Sequence, residues 1–357
     1  MLKLHIANTF FEWELETHPS CPLSEGFLQH NIYRQLQFLP ALYAAPDEGM
    51  FIVDSPEEKY WEKLQTLGIA PPQVFLLSES DFPASAEIES WGPSRLIAAF
   101  AKKHKLTYHM PDFELVRRVN SKQFSFENSP KLPHAALLYD DSQLKHWLRS
   151  FQGKKVLKTC YGVSGKGHLI IENDSMDEKR VSGFLQEQWK KSLPVIAEPW
   201  VDRVLDFSTQ WSISKNQEIN YLGCTICEND ERGQYQSNTI GDEQKLFGSY
   251  LPFLYEHQTI VRPILTHIAS LGFFGNLGID TMLYKNSESI HLHPVVEINA
   301  RKTMGWAALE FQKKHYPNQM IRFKFARAAE GYLPHSVTEK NGKTTFYQRN
   351  LAIDVYN

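Results

Sequence analysis

Seven residues near the end of the chain constrain it most: Val295-Val296-Glu297-Ile298-Asn299-Ala300-Arg301, an apolar run with an acid, an amide and a cation at every second position. Side chains alternate across a strand, so this spacing predicts a β-strand with Glu297, Asn299 and Arg301 on one face and Val296 and Ile298 on the other. A carboxylate on a core strand loses several kcal/mol of hydration unless something compensates it. One polar face on such a strand reads as a site. The hard oxygens of Glu297 and Asn299 suit Mg²⁺, and Arg301 beside them suits a phosphate or carboxylate.

A second acid belongs with them. Asp280, in Gly278-Ile279-Asp280-Thr281-Met282, again interrupts an apolar strand, although by itself it reads equally as a strand-end acid. The polar turn Lys285–Ser289 joins the two strands, and antiparallel pairing brings Asp280 opposite the Glu297–Asn299 face. Three oxygen donors then converge, which is how a Mg-nucleotide site is built.

With 357 residues, a net charge of -3 and 22% charged residues, the chain is long enough for two or three lobes. It lacks the basic stripe that tracks phosphates, so nucleic acid is not expected as a partner. No run of about 18 apolar residues is present, so no membrane partner is expected. Four cysteines (Cys21, Cys160, Cys224, Cys227) are too few for a disulfide framework, and Met1-Leu2-Lys3-Leu4-His5-Ile6 opens without a secretory apolar region, so the cytoplasm is the expected location. Cys224-Thr225-Ile226-Cys227 lies in a strand-like run with no second pair to complete a zinc site, which favours packed thiols.

Along the chain, the first hundred residues alternate short apolar runs (Leu2–Ile6, Met50–Val53, Val74–Leu77) with helix-like segments (Glu57–Leu67, Pro93–His104), the mark of α/β layering. Leu106–Phe113 reads as strand and leads into Val116–Phe126. A small α+β lobe follows, with a helix at Asp141–Ser150 and strands Lys155–Thr159 and Gly167–Glu172 around a glycine-rich turn. Further on come strands near Asp206–Ser214 and Glu218–Cys227, a long helix near Leu254–Leu271, the paired strands already described, a helix around Trp306, Leu309 and Phe311, and a tail, Thr344–Val355, that alternates like a strand. The domains expected are 1–115, 116–197, 198–335 and a tail 336–357. Lys158, at the end of an apolar strand, faces Tyr161-Gly162-Val163-Ser164-Gly165-Lys166-Gly167. Glycines admit backbone N–H groups to a phosphate and a lysine supplies countercharge, although a plain hairpin turn has the same look. The loop is not a P-loop, since Gly167 and a strand follow the Gly-Lys.

Val156-Leu157-Lys158 with its glycine-rich loop, Glu198, Asp280 and the Glu297-x-Asn299-x-Arg301 strand, in this order, resemble the ATP-grasp superfamily of carboxylate–amine or carboxylate–thiol ligases, over roughly residues 116–330. The resemblance implies an α/β and α+β chain: an ATP-grasp fold of two α+β lobes gripping ATP, preceded by an α/β preATP-grasp domain. It implies ATP with Mg²⁺, or Mn²⁺ in its place, as cofactors. Lys122 and Lys158 would hold the nucleotide's phosphates, and Ser164, Gly165, Lys166 and Gly167 would form a lid. The Glu198 carbonyl and the Val201 N–H would meet the adenine, Asp206 the ribose. Asp280, Glu297 and Asn299 would bind the metal. Lys158 and Arg301 are the catalytic candidates. Some ligases of the superfamily carry an arginine two residues before the first metal acid, and here that position is Gly278, which leaves Arg301 to steady the transferred phosphoryl group.

Plainer readings stand beside these: Lys122 as a solvated lysine, Asp206 as a strand-start acid, Arg203 as a surface cation, Trp211 and Trp306 as core, and His291 and His293 as either cleft-lining or structural. The implied activity joins a small carboxylate to an amine, an amino acid or peptide among the candidates, through an acyl phosphate with release of ADP and phosphate. A kinase-like phosphotransferase and a nucleotide-binding module without chemistry are the alternatives, and a homodimer is the default assembly.

Overall fold

The computed structural model describes residues 1–357 apart from 80, 81, 84, 163–166, 173–177, 231–234, 328–330, 340 and 357, with the side chains of 178–180 also left aside. Ser164, Gly165 and Lys166, three of the four lid residues expected, therefore lie outside the described residues.

The N-terminal segments build a five-stranded parallel sheet in the spatial order Gln73–Leu76, Gly49–Ile52, Lys3–Ile6, Glu87–Ser90, Thr107–Tyr108. Its central strands, Lys3–Ile6 and Gly49–Ile52, are short and largely buried because helices cover both faces. The chain winds outward in one direction from Lys3–Ile6 and then in the other from Glu87–Ser90, which opens a crevice at the carboxyl ends of these two strands. Ser94 caps the helix Arg95–His104 through the Ile97 N–H, at the turn expected there. The strand expected over Leu106–Phe113 is confined to Thr107–Tyr108, because Asp112 caps a helix, Phe113–Val119, through the Leu115 N–H.

A four-stranded antiparallel sheet, Ala136–Leu138, Val195–Pro199, Lys155–Lys158, His168–Ile171, has its own core with Leu144, Trp147, Val181 and Leu185 from two helices. Trp200 and Val201 are all that separates its strand Val195–Pro199 from the first strand of the next sheet. That sheet is antiparallel and seven-stranded, in the order Ser289–Asn299, Gly275–Asn286, Asp202–Ile213, Ile219–Asn229, Tyr235–Ile240, Met320–Ala326, Asn350–Tyr356. Helix Leu251–Ser270 buries Val261, Leu265 and Ile268 against one side of it, with Ile279 and Ile298. On another side Phe311, Ile321 and Leu351 share a core with Phe38, Met50 and Tyr60 of the N-terminal region, so these two sheets are packed together. The alternating tail is two strands: Asn350–Tyr356 closes the large sheet, and Thr344–Phe346 joins Ser336–Thr338 and Ser55–Pro56 in a three-stranded sheet that ties the tail to the N-terminal lobe.

Candidate active site

Asp280 is the direct cross-strand partner of Glu297, and Gly278 that of Asn299, the register that the alternating pattern and the polar turn imply. The pattern fails just before Glu297. Met282 pairs with His293 and Asp280 with Glu297, so the site strand holds two extra residues there, a bulge that reverses the alternation over a short stretch. Val295 consequently joins Ile298 in the core while still reaching the cleft, and Val296 packs near Leu132, Met282 and Tyr284 and lines the cleft. The expectation that Val296 points away from the site with Ile298 is corrected by this bulge.

The site strand is an edge strand, and its outward N–H groups need partners. Asn120 Oδ1 accepts from Ala300 N at 2.9 Å and Ser125 Oγ from Ile298 N at 3.1 Å, which docks the helix Lys122–Asn128 along the edge. Between these two anchors Lys122 reaches the site. Its Nζ donates to Glu297 Oε1 at 2.6 Å and to the Gly162 carbonyl at 3.3 Å, and its side chain is only 6% exposed. Lys122 is therefore a buried site residue and not a solvated one.

Lys158, also buried, donates to Glu198 Oε2 at 2.5 Å. Burial raises the Glu198 carboxyl, but the adjacent Lys158 ammonium, its hydrogen bond and the other groups around it together outweigh burial, and the net shift is downward, to the ionised form. His293 lines the same narrow cleft with Lys122, Lys158, Glu198 and the apolar Phe126, Ile196 and Val296. Burial holds its pKa down at about 4. His291 is exposed and stacks on Tyr284, so only the second histidine belongs to the cleft.

Asp206 accepts from Arg203 at 3.0 Å and from Asn229 at 2.9 Å. Ser208, two residues on, pairs across to Asp280, so Asp206, Ser208, Asp280, Glu297 and Asn299 form one polar strip on the large sheet. Arg203 is the partner of Asp206 and also lies over the Trp200 ring at 5.7 Å, beside Lys154 at 5.1 Å. Burial first, and then the facing Glu297 charge, push the Asp280 carboxyl up to about 6. Asn299 donates to Asp280 Oδ2 at 3.1 Å and accepts from Arg301 at 3.1 Å, which links the acid to the arginine.

Two carboxylates and an amide oxygen on adjacent, register-paired strands are a hard-oxygen donor set, and the ammonium of Lys122 already rests on one of them. The donors fit Mg²⁺ and not zinc. Among the described residues no group of three His, Cys, Asp or Glu side chains forms a metal cluster, here or elsewhere. The CxxC is no exception: its cysteines alternate across the strand. Cys224 packs with Phe207 and Leu254, where burial pushes its thiol up to about 12, and Cys227 meets Asn238 at 3.3 Å. All four cysteines are free.

Gly278 has a local reason. A Cβ there would lie 2.7 Å from Thr303 Cγ2 and 3.0 Å from Gln210 Oε1, and these two side chains are themselves bonded at 2.7 Å. A larger side chain at this position has no room beside that pair. Trp211 is core, as expected, while Trp306 is half-buried and carries the Lys302 ammonium 4.6 Å from its ring centre. Asn120, Ser125, Ser208 and Glu12, the last an ion-pair partner of Arg301, were not anticipated from the sequence. Ser208 could have been found from its place two residues after Asp206 on one strand, whereas Asn120, Ser125 and Glu12 are reached only through tertiary packing.

No family model matches the chain. Among curated proteins, the butirosin acyl-carrier protein–L-glutamate ligase of Niallia circulans is 25% identical over 300 residues, 79% of this chain and 68% of that protein. Among solved structures, the phosphoribosylamine–glycine ligase of Thermotoga maritima superposes with a TM-score of 0.57 at 11% identity, covering 99% of this chain and 92% of its own. The biotin carboxylase of Campylobacter jejuni gives 0.53 at 12% identity, over 94% and 78%. These are ATP-grasp enzymes, and the chain has their fold.

Proposed function

We propose that this ATP-grasp chain is an ADP-forming ligase that activates a small carboxylic acid as its acyl phosphate and joins it to an amine. The observation that carries the reading is the convergence on Glu297: an acid paired in register with Asp280, next to Asn299, and held by a buried lysine from a different element. Free carboxylates are poor acylating agents, which is why ATP is needed.

In this reading Asp280, Glu297 and Asn299 hold Mg²⁺, which supplies charge neutralisation at the transferred phosphates; Mn²⁺ is an admissible replacement with the same donors. Lys122 and Lys158 leave their acidic partners to bind phosphate oxygens, and Arg301 steadies the transferred phosphoryl group. Trp200 and Val201 form the hinge between the small and large sheets, where the Glu198 carbonyl and the Val201 N–H meet the adenine; Asp206 takes the ribose. Gly167, with Ser164, Gly165 and Lys166, covers the phosphates and keeps water from the acyl phosphate. Lobes at 1–115, 116–197 and 198–335 with the tail 336–357 are the units of this proposal. The cytoplasm, where ATP is abundant and free thiols persist, suits it. No described helix is long and apolar enough to cross a membrane.

The test is a matrix of acids against amines, read by ADP release and product mass. L-glutamate and a carrier-protein-borne partner enter first, because the curated relative is named for them. ADP, phosphate and a new amide are expected. A stable phosphorylated acid would replace the ligase by a kinase, and ATP binding without turnover across the matrix would leave a nucleotide-binding module.

A further inference from the structure

Arg301 does not stand alone at the end of its strand. Its guanidinium donates to Asn299 Oδ1 and to the Lys302 carbonyl and is ion-paired with Glu12, while its Nε is buried without a hydrogen-bond partner. Glu12 comes from the N-terminal lobe, on the helix Phe11–Thr17 that follows strand Lys3–Ile6 at the point where the parallel sheet reverses its strand order. Ligands of such sheets bind at that point. Glu12 and Arg301 are 16% and 13% exposed, so the pair is largely removed from water at the rim of the site.

The other acids of this helix have different fates. Glu14 accepts from Ser94 Oγ and from the N–H groups of Arg95 and Leu96, tying down the start of helix Arg95–His104, and Glu16 is exposed. Glu12 alone of the three is aimed at the metal-site strand. When Arg301 engages the transferred phosphoryl group, Glu12 loses its countercharge in a place where water cannot replace it. Glu297 gains a metal at that moment, and Glu198 keeps the charge of Arg203 nearby. Tyr33, beside Glu12, feels that acid and Glu16 as negative charges and Arg301 as a positive one.

We propose that Glu12 is the subsite for a substrate ammonium group, which takes the place of Arg301 when the arginine turns to the phosphoryl group. The inference rests on the ligase reading above. The ammonium belongs either to an amino acid serving as the acid or to the incoming amine, and the chemistry at Glu12 is the same.

Hydroxylamine trapping separates the cases. The acids L-glutamate, glycine and L-alanine are compared with their ammonium-free counterparts glutarate, acetate and propionate, reading hydroxamate, and amide formation with the same amino acids as nucleophiles is compared with hydroxamate formation. In Glu12→Gln, about a tenfold or greater fall is expected in one of two ratios, the amino acid over its counterpart for a donor ammonium, or amide over hydroxamate for an acceptor. Glu12→Asp should recover part of that ratio. If Glu12 only braces Arg301, all probes weaken together and both ratios stay within about twofold of the parent, which overturns the subsite while leaving the ligase standing. A parent protein that yields neither ADP nor hydroxamate from any acid overturns the ligase reading and the subsite with it.

Discussion

Lys122 and Glu297 are each other's counterion when the site is empty, and a metal and a phosphate must separate them. The magnitude follows from burial. Breaking a buried pair by removing one partner costs about 3–5 kcal/mol. Glu297 keeps 22% of its side chain in solvent, against 6% for Lys122, which puts the pair at the lower end. We expect Glu297→Gln to lose about 2–3 kcal/mol of unfolding free energy, since the buried ammonium then faces only a neutral amide and a long contact to the Gly162 carbonyl. Combining it with Lys122→Met should restore about 2 kcal/mol relative to the sum of the single changes. The same coupling has a functional face. With the ammonium gone, nothing competes at Glu297, so Mg²⁺ without nucleotide should bind Lys122→Met about 30-fold more tightly, about 2 kcal/mol at 1.4 kcal/mol per decade. Mg·ATP should bind it more weakly. Urea unfolding and calorimetric titration read the two halves. Strictly additive stabilities together with unchanged metal affinity in Lys122→Met would refute the reasoning.

His257, fully buried, bridges Thr209 and Thr281 at 2.8 and 3.2 Å, and burial pushes its pKa down to about 4. Because the unfolded histidine titrates near 6.5, its contribution is complete above that pH and is lost as pH falls toward 4, about 3 kcal/mol across the window. Unfolding curves of His257→Gln between pH 4 and 7 should be flatter than those of the parent, and parallel curves would count against the assignment. Arg34 joins Asp54 at 2.8 Å and Glu339 at 2.9 Å, and the Asp54 side chain is 4% exposed. Arg34→Leu leaves that acid unpaired and should cost about 3–5 kcal/mol in urea unfolding, a loss below about 1 kcal/mol being incompatible with a buried Arg34–Asp54 pair. Gly278→Ala drives a methyl group into the Gln210–Thr303 pair, for about 1–3 kcal/mol and a large drop in substrate-dependent ADP release. Unchanged stability would mean that the pair moves aside freely.

What the sequence revealed, and what it hid, divides by the range of the physics involved. Alternation along Val295–Arg301 and the turn Lys285–Ser289 are local, and they suffice to put Asp280 opposite Glu297. The bulge that turns Val295 inward is also local, and Pro294 within it is the residue type that marks an irregular or edge strand, although it does not say how many residues the bulge holds. The short helices Phe11–Thr17, Leu23–Leu28 and Asn31–Leu36 span two turns or fewer, too little for a helical period to stand out, and it is tertiary packing that holds them. Charges are the deepest case. Read along the sequence, each charged site residue awaits a ligand, because a one-dimensional string offers no other partner. Folding supplies one: Lys122 meets Glu297 across 175 positions, Lys158 meets Glu198 across 40, and Arg301 meets Glu12 from the opposite end of the chain. Each of these cations would be an expensive buried charge in an empty site without its acid, so a cleft built to grip a polyanion and a metal must be able to neutralise itself. Ligand binding is then an exchange of partners. Which acids are left over after that exchange, Glu12 above all, is what the sequence had no means of displaying.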